Sequence, residues 1–469
     1  MKKEINRYID SNKDRFISEL FDFLRIPSIS SNSLHQSDMN KAAGFVKSHL
    51  VAAGADFADI IQTNGHPVVY AEKFVSEELP TVLIYGHYDV QPADPVELWN
   101  SPPFEPIIKD NKIYARGACD DKGQMFMHIK ALEYLVASNN LNCNLKYLFE
   151  GEEEIGSVSL ENFIVNNKEK LKADLVLISD TAMIDNETPS IIYGLKGITY
   201  FDITITGPSK DLHSGINGGT VSNPINVLCG IIGKLKDEQN KITIPGFYDD
   251  ILTPSENDKR YLEQVDFDVE QYKSEFGLIE TSGEDGYSTL EQISFRPTLD
   301  VNGIWGGHNG QGAKTIIPSK AHAKISMRLV PGQSAEKVIN SFVDYFKSLT
   351  PSSVSVEINA IASCESALTP TDSIAFKAAE LAMFETFGKK PIPMRIGGSI
   401  PVVSLFEKHL NANSILMGFG LNSDDIHSPN EHFGVFNFLK GIETLPIFIN
   451  KYGILFQKEE FSQLETKHN

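Results

Sequence analysis

Cysteine is scarce in this 469-residue chain: Cys119, Cys143, Cys229 and Cys364 are the only four, and none forms a CxxC pair. That excludes a thiolate zinc site and a disulfide framework, and makes a reducing compartment, the cytoplasm, the expected home. Long apolar runs are missing as well, with no stretch near the roughly 20 residues that a membrane-spanning helix needs. The opening segment MKKEINRYIDSNKDRF is charged throughout and lacks the apolar centre of a signal peptide. Basic residues are in the minority, 42 Lys and Arg against 62 Asp and Glu, for a formal net charge of −20. Such a field repels phosphate backbones and anionic lipid, so neither nucleic acid nor membrane is an expected partner. An anionic ligand would need local positive charge, such as metal ions.

What is present is ordinary globular material, 41% hydrophobic and 22% charged. The length exceeds one ordinary core, which predicts two domains or a large insertion. Residues Lys3 to Leu24 carry apolar positions at helical spacing and stop before Pro27. Apolar strand-like runs follow at Thr81–Tyr85, Leu145–Phe149 and Leu175–Ile178, with a helix over about 123–137 between the first two. Strands alternating with helices predict an α/β domain with a mostly parallel sheet. From about Gly194 the pattern changes to period two, at Tyr200–Thr206 and Ala321–Leu329, with helices near 224–236 and 334–349 and a further strand near 354–361. This predicts an α+β unit with one solvated sheet face. The α/β pattern resumes near Pro370. The expected organisation is therefore an α/β domain of residues 1–193 and 368–469, interrupted by an inserted α+β domain of residues 194–367. The acidic, glycine-rich stretch 237–301 yields no legible elements.

Chemistry-bearing residues sit just past the strands. Thr81–Tyr85 breaks at Gly86 and presents His87 and Asp89; Leu145–Phe149 runs into Glu150, Glu152, Glu153 and Glu154; Leu175–Ile178 runs into Asp180. Asp424 to His427 follow a strand ending near Gly418, and Asp120-Asp121 lie in a glycine-flanked turn before a helix. Each alone has a bland reading: a solvated acidic loop, a helix cap, a turn. Parallel strands, however, bring their C-terminal tips to one edge, where ligands bind. Imidazole and carboxylate without thiolate suit zinc, manganese or cobalt in a hydrolytic site. Three carboxylates and a bridging hydroxide balance two divalent ions, whereas without metal the cluster is an expensive concentration of like charge.

The segments GHYDVQP, GACDDKGQ, EGEEEIGS, ISDTAM, GGSIPV and HSPNE resemble, in order, the motifs of the dinuclear metallopeptidase family of carnosinases, cytosolic nonspecific dipeptidases, aminoacylase and carboxypeptidase G, closest to the dipeptidase branch. The resemblance spans essentially the whole chain. It implies that His87 and Asp180 hold one metal, Glu154 and His427 the other, and that Asp120 bridges them. It makes Glu153 the general base and gives Asp89 the task of orienting His87. Zinc is the first expectation for both ions, with manganese or cobalt as alternatives. Glu152 departs from the family pattern and receives no role. The insert is expected to be a ferredoxin-like lid and dimerisation domain. Within it, DLHSG implies that His213 acts across a homodimer interface on the oxyanion of the partner's site. GAKTIIPSKAHAKISMRLVP implies that Arg328 and Thr315 contact substrate, and GGSIP places Ser399 there too. Arginine suits a terminal carboxylate because it can donate two parallel hydrogen bonds.

The expected activity is hydrolysis of dipeptides by a metal-bridging water with Glu153 as base. An N-acyl amino acid deacylase or carboxypeptidase on the same scaffold is the nearest alternative. A two-metal phosphoesterase and a non-catalytic homologue stand further off.

Overall fold

A computed structural model describes residues 1–468, with side chains through residue 459. The chain divides into two compact units. One comprises residues 1–193, 369–394 and 405 onward; the other comprises residues 194–368 and 395–404. The segment 395–404, placed above with the first domain by its position in the chain, packs with the insert instead. There Arg395 pairs with Asp258 at 2.8 Å, and Arg328 donates to Ser399 at 2.7 Å.

In the first unit, strands Asn144–Glu150, Thr81–His87, Leu175–Ile178 and Ser414–Leu416 lie side by side and parallel. Antiparallel neighbours flank them: Val68–Lys73 and then Phe57–Ile61 on one side, and the strand through Ile192 on the other. The four parallel strands are buried almost throughout, which is why they read as continuous apolar runs rather than as alternation. Helix Lys122–Ala137 buries thirteen of its sixteen residues, among them the expected Met125, Ile129, Leu132 and Leu135. A helix covered on nearly every side has little amphipathic contrast, yet its start is fixed by the loop that carries Asp120 and Asp121.

The second unit is a four-stranded antiparallel sheet with two helices on one face. Its strands, in spatial order, are Thr298–Gly306, Lys320–Leu329, Gly197–Thr206 and Ser355–Cys364. Helix Pro224–Ile232 follows the first strand in sequence and Ala335–Leu349 follows the third, giving the β-α-β-β-α-β order of a ferredoxin-like unit. Ala335, Val338, Phe342 and Phe346 recur at helical spacing and are buried against Phe201, Ile203 and Ile325 from alternate positions of the strands. Each such side chain contributes roughly 1.5–3 kcal/mol of burial.

The stretch that was illegible in sequence, 237–301, is a long excursion between the first helix and the second strand. It holds three seven-residue helices, Glu256–Leu262, Val269–Glu275 and Thr289–Phe295. Ser255 with Asp258 and Ser288 with Glu291 form capping boxes at two of them. Arg296, which forks onto Glu284 at 2.7–3.0 Å and lies 4.2 Å from the Tyr287 ring, ties the end of the excursion down. No helix of the described residues is long and apolar enough to cross a membrane.

Candidate metal centre

His87 is the last residue of its parallel strand, and the strand's burial carries the imidazole fully out of solvent. Its backbone N–H is accepted by Asp121 at 3.2 Å, and its Nδ1 faces the backbone carbonyl of Asp89 at 3.1 Å. With Nδ1 so engaged, Nε2 is directed at the carboxylates: it lies 3.1 Å from Asp120 Oδ1 and 3.9 Å from Asp180 Oδ2. The other oxygen of Asp120, Oδ2, lies 2.9 Å from His427 Nε2, which is also 3.2 Å from Glu154 Oε2. Two trios result, His87–Asp120–Asp180 and Asp120–Glu154–His427, and each could hold a metal ion. Asp120 belongs to both and turns one oxygen toward each.

Three further observations fit a metal. His87 Nε2 and Glu154 Oε1 are buried and make no hydrogen bond, although Nε2 lies within 3.1 Å of a carboxylate oxygen. Buried polar atoms are ordinarily paired, so these two, set among the carboxylates and imidazoles of the trios, are positions that a cation would satisfy. The donor set of imidazole nitrogen and carboxylate oxygen suits a hydrolytic divalent ion. Finally, Asp121 occupies the cap position of the helix that follows but makes no side-chain cap hydrogen bond. The helix-cap reading of Asp120-Asp121 therefore fails.

The proton affinities of the cluster reflect the same crowding. Burial alone would lower the pKa of His87, but Asp120 and Asp89 outweigh it and hold the imidazole well above its ordinary value. Hydrogen bonds to Asp120 and Glu154 push His427 up to about 10. Burial and then the charge of Asp120 raise Asp180 to about 7. Burial also raises Glu153 well above the carboxylate range, opposed by His87 and reinforced by Asp180 and Asp120. Asp120 moves the other way: burial opposes ionisation, but His427 and His87 hold it low. Proton binding and cation binding would thus relieve the same crowding of negative charge.

Asp89 touches more than His87. Its carbonyl meets His87, whereas its carboxylate accepts the backbone N–H groups of Glu153 at 3.2 Å and Glu154 at 3.0 Å. Its Oδ1 stands 3.4 Å from His87 Nδ1. It therefore joins the tip of one strand to the turn after the next. Gln91 adds a second tie, donating its amide to Glu154 Oε2 at 2.8 Å. Glu152, left without a role, is 4% exposed and accepts from the N–H groups of His66 and Ser159 at 2.8 and 2.9 Å. It closes the acidic turn onto a neighbouring loop. Asp424, grouped in sequence with His427, turns inward to Leu421 N–H at 2.8 Å and Cys119 at 3.4 Å and stays out of both trios. The motifs contained Gln91 and Glu431, but spacing gave no sign of what either would touch.

The remaining candidates belong to the second unit. His213 is exposed at the end of a short strand, Leu212–His213, that pairs with Ile316–Ile317, and the N–H beside it, of Ser214, donates to Thr315 O at 3.0 Å. His213 Nδ1 accepts the Gly215 N–H at 3.0 Å, which leaves Nε2 to carry the proton of the neutral ring. Arg328, half-buried on strand Lys320–Leu329, donates to Ser399. The structure thus brings His213 beside Thr315 and Arg328 onto Ser399.

A family model described as peptidase family M20/M25/M40 matches residues 83–451. The chain belongs to this family. The Cys-Gly metallodipeptidase dug1 of Schizosaccharomyces pombe is 36% identical over 463 residues, covering 94% of this chain and 96% of that protein. Among solved structures, the di-peptidase Dug1p from Saccharomyces cerevisiae has a TM-score of 0.84 at 31% identity, over 97% of this chain and 98% of that one. The M20 family metallo-carboxypeptidase Sso-CP2 from Sulfolobus solfataricus has a TM-score of 0.87 at 35% identity, over 94% and 99%. The resemblance noted in the motifs is thereby shown, at the level of the family and of the whole chain.

Proposed function

We propose that this chain is a metal-dependent dipeptidase that hydrolyses the single peptide bond of unblocked dipeptides. The observation that carries the proposal is the pair of residue trios sharing Asp120, with Glu153 next to Glu154 in the same short turn. His87 and Asp180 would hold one divalent ion and Glu154 and His427 the other, with one oxygen of Asp120 for each. Zinc is the first choice, and manganese and cobalt accept the same donors. Such ions, when bound, polarise a carbonyl and make water acidic.

The chain's own residues do the rest. Glu153 accepts the proton of the attacking water and returns it to the leaving amine. Asp89 sets the position of Glu153 through the backbone N–H it accepts. Arg328, held by Ser399, takes the terminal carboxylate of the substrate, and Thr315 lies along the same substrate path. His213 donates from Nε2 to the carbonyl oxygen as that oxygen gains charge, acting in the site of a partner protomer. The inserted unit is accordingly assigned as the dimerisation and lid domain of a cytoplasmic homodimer.

Carboxypeptidase action is the second reading, favoured by the likeness to Sso-CP2, because that reaction also cleaves an amide one residue from a free carboxylate. The discriminating experiment offers unblocked dipeptides, their N-acetylated forms and tripeptides to metal-loaded protein. Cleavage of dipeptides supports the proposal. Turnover confined to acetylated or longer substrates overturns it.

A further inference from the structure

Glu431 lies four residues beyond His427, and the mechanism above does not use it. It is fully buried, and both of its oxygens are saturated. Oε2 accepts from Arg116 Nη1 at 2.8 Å and from Gly117 N–H at 2.9 Å; Oε1 accepts from Cys119 N–H at 3.0 Å and from Asp120 N–H at 3.1 Å. Four N–H donors converge on one carboxylate, so the side chain is held fast by the loop it faces. Arg116 is itself buried, and its other nitrogen donates to Pro92 O at 3.1 Å, in the loop that follows His87 and Asp89. The Ala115 N–H donates to Glu431 O at 3.2 Å, so backbone and side chain grip the same loop.

The loop that carries His427 has reason to need such a grip. His427 has a φ of 60°, and Asp425 and Asn430 share the left-handed region with φ of 53° and 69°. Side chains other than glycine adopt this region at a cost, and a run of them persists only where surrounding contacts over-determine the backbone. The His427 ring is also half exposed, at 53%, so packing around the ring itself does little to place it.

We propose that Glu431 is a positioning residue that locks the Asp120 loop onto the His427 loop and so sets the separation between the shared carboxylate and the imidazole of the second trio. Through Arg116 the same lock reaches the loop after His87. One buried ion pair thus ties together three of the loops that build the centre. The proposal rests on the reading of Asp120 and His427 as metal ligands, and its test separates the two.

The test titrates metal-free protein with zinc or manganese and reads stoichiometry and affinity for each ion, beside circular dichroism and thermal melting of the metal-free form. Glu431→Gln keeps the shape but turns an amide toward two N–H donors. The expected result is a folded protein in which the weaker ion binds about 10–100-fold less tightly, the range known for groups that orient metal ligands. Glu431→Asp should fall in between. If Glu431→Gln does not fold, Arg116→Lys carries the test, since it keeps the charge and the three backbone donors while losing the fork; it must then weaken the same ion. Wild-type affinities in whichever variant folds, with or without a lower melting temperature, overturn the positioning role and leave Glu431 a purely structural brace. His427→Ala is the control for the underlying reading: if it binds both ions as the wild type does, the ligand assignment fails, and if it loses one while Glu431→Gln does not, only the present proposal fails.

Discussion

The carboxylate of Asp89 accepts the Glu154 N–H at 3.0 Å, while His87 Nδ1 faces both the Asp89 carbonyl at 3.1 Å and the Asp89 carboxylate at 3.4 Å. One carboxylate thus joins the imidazole to the turn bearing Glu153 and Glu154. Asp89→Asn should keep the His87 ring in place, because the carbonyl is unchanged, yet loosen the turn bearing Glu153 and Glu154. A loss of about 10–100-fold in metal affinity is expected, in line with other groups that orient ligands. Nitrogen NMR of the imidazole should still report a proton on His87 Nδ1. A ring that changes tautomer would contradict this expectation.

Glu153→Gln removes the proton acceptor without removing a ligand. Its kcat on a dipeptide should fall by about 10²–10⁴-fold, the range of general acid–base contributions. Metal stoichiometry should be unchanged. Intact hydrolysis by this variant would require a different base.

Metal uptake should release protons. Neighbouring carboxylates hold His87 and His427 above their ordinary values, His427 at about 10, and burial with the charge of Asp120 raises Asp180 to about 7. At pH 7 the His427 ring is protonated, and a ring nitrogen must be free of its proton to bind an ion. Affinity should therefore fall as pH falls from 8 to 6, and protons should leave as the centre fills. Calorimetry in buffers of different ionisation enthalpy measures this directly. Uptake with no proton release would contradict the ligand assignment of the histidines.

If His213 serves the partner's site, two inactive variants should rescue each other. Glu153→Gln lacks the base but keeps His213; His213→Ala lacks the donor but keeps Glu153. Mixed protomers, after unfolding and refolding together, place one intact Glu153 opposite one intact His213. Activity well above that of either variant alone is expected. The sum of the two separate activities, and no more, would show that His213 acts within its own chain or not at all.

Arg328→Lys keeps the charge but loses the fork that matches a carboxylate. The KM for dipeptides should rise by about tenfold, corresponding to roughly 1.4 kcal/mol, with a smaller change in kcat and none in metal content. Dipeptide amides, which lack the carboxylate, should already be poor substrates of the wild type. Equal effects on the acid and the amide would remove Arg328 from substrate recognition.

The parallel strands were legible because each is buried on both faces and therefore writes a continuous apolar run, and the ferredoxin-like strands because each alternates with period two. The excursion 237–301 was not, because its helices are only seven residues long and are held by caps and by pairs such as Arg296–Glu284 rather than by an amphipathic face. Segment 395–404 was misplaced for a related reason. It joins the second unit through Arg395–Asp258, a pairing 137 residues apart that no local pattern records.

By itself the sequence determined which residue types stand at the strand tips, the order of the motifs and hence the family, since these depend on local pattern and composition. Only the tertiary structure decided what each carboxylate does. Asp120 faces two imidazoles, Asp424 turns away, Glu152 and Asp89 hold backbone, and Glu431 reaches back 311 residues to the Asp120 N–H. A buried carboxylate must be neutralised or hydrogen-bonded wherever it comes to rest, but chain separation carries no information about which donors the fold will bring to it.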